Sequence, residues 1–171
     1  AVVFGDASGG KHARVPELRR VGVGLAQLEE HPRRVFRLGV YSHLGPDEPQ
    51  RVDWGELSAL AEAMLRTPGP LAFVTDGDKV LKGWHREEWL NALEGEVETT
   101  HARATAALWR EVGAILNARP TGADVIVVGV ESHPHWLDVQ EGYATPFMAM
   151  GIEAADVLAR TGADRAEIPE A

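Results

Sequence analysis

Four carboxylates recur along this chain at places where a fold could gather them: Asp6, Glu56, Asp76 and Asp156. Converging acids bind hard divalent cations through oxygen, and magnesium takes few protein ligands and keeps several waters. Two such ions about 4 Å apart can clamp a phosphodiester for in-line displacement, one activating water and the other stabilising the leaving oxygen. A competing reading sits in "FGDASGGKH", residues 4–12, where Gly5, Gly10 and Lys11 match a phosphate-cradling G-x-x-x-x-G-K loop. That loop needs a helix directly after its lysine. Here "HARVPELRR" follows, with Pro16 leading into a strand, and His12 stands where a Ser or Thr would hold magnesium. The match is accidental, Asp6 is the residue of interest, and Lys11 receives no role.

The elements that must position these acids follow from apolar periodicity. Residues 1–6 read as a short strand ending at Asp6, and 20–29 and 34–42 alternate apolar with polar around an "EEHPR" turn. After Asp53, Leu57, Leu60, Ala61, Met64 and Leu65 recur at helical spacing until "TPGP" stops the helix. "LAFVTD" (71–76) is a buried strand ending at Asp76, and a short helical "DKVLKGW" follows it. Residues 102–117 form a helix, 124–130 a continuous apolar strand, and about 147–160 a last helix carrying Asp156. The order β-β-β-α-β-α-α-β-α implies an α/β fold: one mixed sheet, three antiparallel strands first, with helices on its faces. If the Asp6 and Asp76 strands are parallel neighbours, both acids emerge at one sheet edge.

Each acid also has a plainer use. Glu56 stands three residues after Asp53, a capping-box spacing, in what reads as the first turn of its helix. Asp76 in "TDGD" suits turn chemistry, and Asp156 alone suits a solvated helix face. The joint order of strand-Asp, helix-Glu, strand-Asp and helix-Asp weighs against these uses.

Composition bounds the rest. The 171 residues suit one domain, expected over 1–160, with 161–171 as a C-terminal tail fraying from about Gly162. The polar stretch 84–104 is the expected variable insertion. There is no Cys, so no thiolate or disulfide chemistry exists. No apolar run approaches the ~20 residues of a membrane span, so no membrane partner and an intracellular setting, cytoplasmic or nuclear, are expected. A net charge of −9 argues against a broad electrostatic grip on nucleic acid, though not against a nucleic-acid enzyme with its negative charge on metal ligands.

With these residues placed, the sequence resembles the ribonuclease H family of the type I, cellular and retroelement kind, over roughly residues 1–160. "VVFGDASGG" resembles its first strand, "WGELSALAEAM" the helix of its catalytic Glu, and "LAFVTDGDKVLKGW" its second Asp strand and following helix. "ARATAALWREVGAIL", "VIVVGVESH" and "GIEAADVLAR" are similar to its later helix, its last strand and loop, and its closing helix. The resemblance implies a ribonuclease H-like fold with a five-stranded mixed sheet. It also implies two-metal hydrolysis of the RNA strand in RNA–DNA hybrids, leaving 5′-phosphate and 3′-hydroxyl ends. It assigns metal ligation, by two Mg2+ with Mn2+ as a substitute, to Asp6, Glu56, Asp76 and Asp156. His133 matches the family's mobile-loop histidine, suited by an imidazole pKa near 6.5 to proton transfer or product release. His135, two residues on, is an equal candidate, and the pair lacks the further ligands of a zinc site.

Backbone amides near Ser8, Gly9 and Gly10 are candidates for close approach to a sugar-phosphate strand. Arg14, Arg19, Arg20, Lys79, Lys82 and Arg86 are candidate phosphate contacts. The family's Asn pair before the catalytic Glu is here Val52 and Asp53, its Gln after the second Asp is Asp78, and its Asn before the last Asp is Ile152. "K-G-H" has become "E-S-H", with Glu131, and no clear basic helix is present. The expected activity is therefore a hybrid-specific endoribonuclease, from a domain belonging to a larger polyprotein. Two rivals stay open: a weak or inactive ribonuclease H-like interaction domain, and a related two-metal DNA nuclease.

Overall fold

A computed structural model of the chain describes residues 1–29, 35–93, 104–130 and 146–167. Five strands form one sheet: β1 (Val2–Ser8), β2 (Gly22–Glu29), β3 (Val35–His43), β4 (Leu71–Thr75) and β5 (Val125–Gly129). Among the described residues five helices accompany them: α1 (Val52–Arg66), α2 (Asp78–His85), α3 (Glu88–Leu93), α4 (Ala106–Ala118) and α5 (Pro146–Ala166). The strand order is β3-β2-β1-β4-β5. β1–β2 and β2–β3 are antiparallel, and β1–β4 and β4–β5 are parallel. The expected sheet type is the observed one, and the expected element order holds except for one further helix, α3, between β4 and β5. None of the described helices is long and apolar enough to cross a membrane.

Strand alternation divides the core in two. Val3, Val23, Leu25 and Phe73 point to one face and are buried with Leu57, Leu60 and Met64 of α1 and Trp109 and Val112 of α4. Phe4, Ala26 and Val74 point to the other, where Ile152 and Ala155 of α5 cover them. Phe147 meets Phe4 edge-on at a ring separation of 5.4 Å. Neither face suffices alone; the sheet is stable because both are covered.

Three expectations change. β1 continues past Asp6 to Ser8, because Ala7 and Ser8 still pair with Val23 and Gly22 of β2. Part of the stretch expected as an insertion is the helix α3, whose Ala92 is buried and whose Trp89 lies 6.3 Å from Trp84 of α2. The last helix runs beyond 160 to Ala166, so the expected start of the tail falls inside a helix. Gly162 and Ala163 are buried there, against β2 and the Ser42 carbonyl of β3. Between β1 and β2, residues 9–21 contain no helix, which leaves the phosphate-loop match without its anion-binding terminus.

Small residues bring α5 onto β2. A β-carbon at Gly24 would strike the Ala155 carbonyl, and one at Gly22 the Ala159 carbonyl, both backbone atoms that cannot step aside. Gly24→Val is expected to lower stability by about 1–3 kcal/mol through overpacking. Denaturant titration would read this as an earlier midpoint; an unchanged midpoint would show that α5 does not seat on β2 as described.

A candidate carboxylate metal centre

The site begins where β4 ends. Gly5 pairs with Thr75 as the last matched pair of the parallel β1–β4 ladder, so Asp6 and Asp76 follow side by side. Asp6 is only 5 % exposed, and the Ala7 N–H donates to its Oδ1 at 2.8 Å. Beyond Asp76 the chain turns sharply, with the Gly77 N–H donating to the buried Thr75 hydroxyl at 2.9 Å. A β-carbon at Gly77 would sit 2.5 Å from Glu56 Oε2, so the glycine leaves room for the Glu56 carboxylate to reach over the turn.

Glu56 arrives from α1, one turn in from the helix start at Val52 rather than in the first turn. Its neighbour Gly55 lets the helix lie close to β1 and β2, since a β-carbon there would meet Val21 and Ala7. The capping box with Asp53 does not form: Arg51 occupies the cap position without a side-chain cap, and Asp53, inside the first turn, accepts from the Trp54 N–H. Oxygens of Asp6, Glu56 and Asp76 consequently lie within 4.8 Å of one another.

Asp156 stands beside this group and outside it. From α5 it pairs with Arg160 at 3.1 Å, and its charge still reaches Asp6. His133 and His135 lie outside the described residues. Ser8, Gly9 and Gly10 follow Asp6 as expected. The Gly10 N–H, however, donates to Ser8 Oγ at 3.3 Å, and Gly10 adopts φ +76°, with Glu167 Oε1 over the space a side chain would need.

Several expected phosphate contacts have partners within the protein. Arg19 donates to the Ala13 and Gln50 carbonyls, and Arg20 to those of Glu17 and Arg19. Lys82 pairs with Asp78 at 2.8 Å. Lys79 pairs with Asp53 at 3.3 Å, and Asp53 also takes a two-pronged contact from Arg51, at 2.9 and 2.8 Å. Arg51 is the residue that reading the sequence missed. Its only sequence signal was a cation two positions before an acid at a helix start.

Electrostatics set these acids apart from surface carboxylates. Burial, helped by the Asp76 charge and then by those of Asp156 and Glu56, pushes Asp6 up to about 8, against the pull of the Ala7 N–H. Burial and the charges of Asp76 and Asp53 raise Glu56 to about 7, with Lys79 opposing. Asp53 goes the other way, down to about 2, chiefly through its hydrogen bonds from Arg51. The trio suits a hard divalent cation: an all-oxygen donor set, crowded and short of positive charge.

The pH dependence has a definite sign. Asp6 and Glu56 hold protons more tightly folded than at their ordinary values of 3.8 and 4.5, so they stabilise the fold at low pH. That contribution is lost as pH climbs towards about 8 and 7, whereas the part from Asp53 is present above 3.8 and lost only as pH falls towards about 2. Metal-free protein is therefore expected to melt at a lower temperature at about pH 8.5 than at about pH 5.5, and magnesium to raise the melting point more at the higher pH. Thermal melts with and without magnesium check this. Equal magnesium shifts at the two pH values would mean that the trio does not bind the ion.

No family model and no curated protein matches the chain. Solved structures do. The RNase H domain of prototype foamy virus aligns with a TM-score of 0.69 and 19% identity, over 96% of this chain and 94% of that one. The foamy viral protease–reverse transcriptase in complex with an RNA/DNA hybrid aligns at 0.66 and 20%, over 95% of this chain and 20% of that much longer one. LC9-RNase H1, described as a type 1 RNase H with the type 2 active-site motif, aligns at 0.64 and 21%, over 96% and 72%. Likeness at these identities speaks to architecture, and with the sheet order above it makes this chain a domain of the ribonuclease H fold.

Proposed function

We propose that the domain is a metal-dependent endoribonuclease that cuts the RNA strand of RNA–DNA hybrids, leaving 5′-phosphate and 3′-hydroxyl ends. The observation that carries this reading is the convergence of Asp6, Glu56 and Asp76 at the end of the β1–β4 pair. The hybrid held by the foamy viral relative supports the choice of substrate. That relative's length supports a place for this domain within a longer polyprotein.

Asp6, Glu56 and Asp76 would hold the divalent ions, with Asp156 completing the set on release from Arg160. When bound, magnesium supplies the positive charge that lets a phosphodiester approach the acids, and it acidifies water for in-line attack. The protein's own part is to crowd Asp6 and Glu56 so that their carboxyls would give up their protons as a cation is taken, to keep Asp76 beside them through the Thr75–Gly77 turn, and to exclude bulk water from Asp6. His133 is the proposed proton carrier or aid to product release.

Incubating labelled RNA–DNA hybrid, RNA duplex and DNA duplex with magnesium tests the reading. Cleavage of the hybrid's RNA strand alone is expected, falling by about 10²-fold or more in Asp76→Asn. A comparable loss in Asp156→Asn would place Asp156 among the ligands; no loss would remove it. Absence of cleavage with either magnesium or manganese would overturn the proposal. His133→Ala is expected to lower kcat by about 10²-fold with KM little changed, and His135→Ala to leave both near wild type. The reverse pattern in a steady-state assay would move the role to His135.

A further inference from the structure

We propose that Asp53 is a positioning residue that holds Arg51 and Lys79 as a pair of phosphate-contacting cations beside the carboxylate trio. This rests on the reading of the domain as a hybrid-binding enzyme.

The geometry is that of an anchored pair. Asp53 is nearly covered, its side chain 10 % exposed, whereas the Arg51 and Lys79 side chains are 44 % and 51 % exposed. Arg51 Nε and Nη2 grip both Asp53 oxygens, and Lys79 Nζ shares Oδ2 at 3.3 Å. The Trp54 N–H donates to Oδ1 at 2.9 Å and fixes the carboxylate to the start of α1. Two long side chains, 28 residues apart in sequence, thus hang from one partly buried acceptor. Each keeps donors free: a guanidinium has five N–H groups and an ammonium three, and Asp53 takes only two and one of them.

The position gives the pair its purpose. Asp53 is three residues before Glu56, Lys79 is three after Asp76, and the charges of both reach Glu56. A chain with net charge −9 that gathers acids at its site needs local cations to receive a polyanion. Arg19 and Arg20 are turned to backbone carbonyls, whereas Lys79 reaches Glu56 electrostatically and Arg51 shares its acceptor. Ordering two flexible cations beforehand removes entropy that binding would otherwise lose.

The test uses hybrid binding in Asp76→Asn protein with magnesium, so that the strand stays uncut, measured by fluorescence anisotropy over a range of salt. Adding Lys79→Ala or Arg51→Ala should weaken binding about tenfold and flatten the slope of log affinity against log salt by about one. Adding Asp53→Ala gives the sharper result. Removing a negative charge should by itself tighten binding to a polyanion, yet loss of the anchor should weaken it by about threefold. Arg66→Ala, about 20 Å away along α1 and well beyond the screening length, controls for loss of any surface cation. Tighter binding in Asp53→Ala, or slopes unchanged in both cation variants, overturns the clamp; if Asp53→Ala fails to fold, the two exposed cation variants still decide. Hybrid cleavage by wild type alongside unchanged slopes sinks the clamp and leaves the proposed activity standing. No binding of hybrid by the Asp76→Asn protein sinks both.

Discussion

Three carboxylates whose oxygens lie within 4.8 Å of one another, one of them almost fully buried, cannot all be ionised without positive charge among them. In water each would carry its charge at little expense. Here burial removes that hydration, and mutual repulsion adds to the loss, so Asp6 and Glu56 hold protons into the neutral range. The same crowding that makes the trio unfavourable alone makes it a candidate oxygen site for a hard cation.

The rest of the structure keeps that crowding in place. Parallel pairing of β1 with β4 sets Asp6 beside Asp76, and α1, lying between β3 and β4 in the chain, brings Glu56 over the Gly77 turn. α1 is held down by Leu57, Leu60 and Met64 on one face of the sheet. On the other face α5 lies against Gly22 and Gly24, which brings Asp156 within electrostatic reach of Asp6. Around the trio the counter-charges are arranged in pairs. Asp53 takes Arg51 and Lys79, and Asp156 takes Arg160. Such pairs on a surface contribute little to stability; their effect is to decide where the cations stand.

Much of the fold was legible because apolar periodicity is local. The alternation in β2, the helical repeat of Leu57, Leu60 and Met64, and the unbroken run of β5 each name their element within a short window. Element ends were less legible. β1 reaches Ser8 because β2 offers partners there, and α5 reaches Ala166 because Gly162 and Ala163 find β2 and β3. The helix α3 was masked by charge, since Glu87, Glu88 and Arg86 crowd the start of a segment whose burial comes from α4 packing against it. The capping box between Asp53 and Glu56 was a sound local expectation that lost to tertiary demand: Asp53 stays at the helix start but takes the Trp54 N–H, Arg51 and Lys79, and Glu56 reaches the acids of β1 and β4.

By itself, then, the sequence determined the order of every element but α3, the mixed sheet and which acids were candidates, because each of these depends on residue type and short-range spacing. Only the tertiary structure decided which acids meet. Asp6, Glu56 and Asp76 close into one group because strand register and the Gly77 turn put them there, whereas Asp156 lies one helix away and is turned to Arg160. The Arg51–Asp53–Lys79 cluster was equally out of reach, since Lys79 comes to Asp53 only when α2 folds back beside α1. At the glycines after Asp6, "FGDASGGKH" promised open backbone amides. In the fold the Gly10 amide already has the Ser8 hydroxyl. Distances between residues far apart in the chain are properties of packing, and no local pattern encodes them.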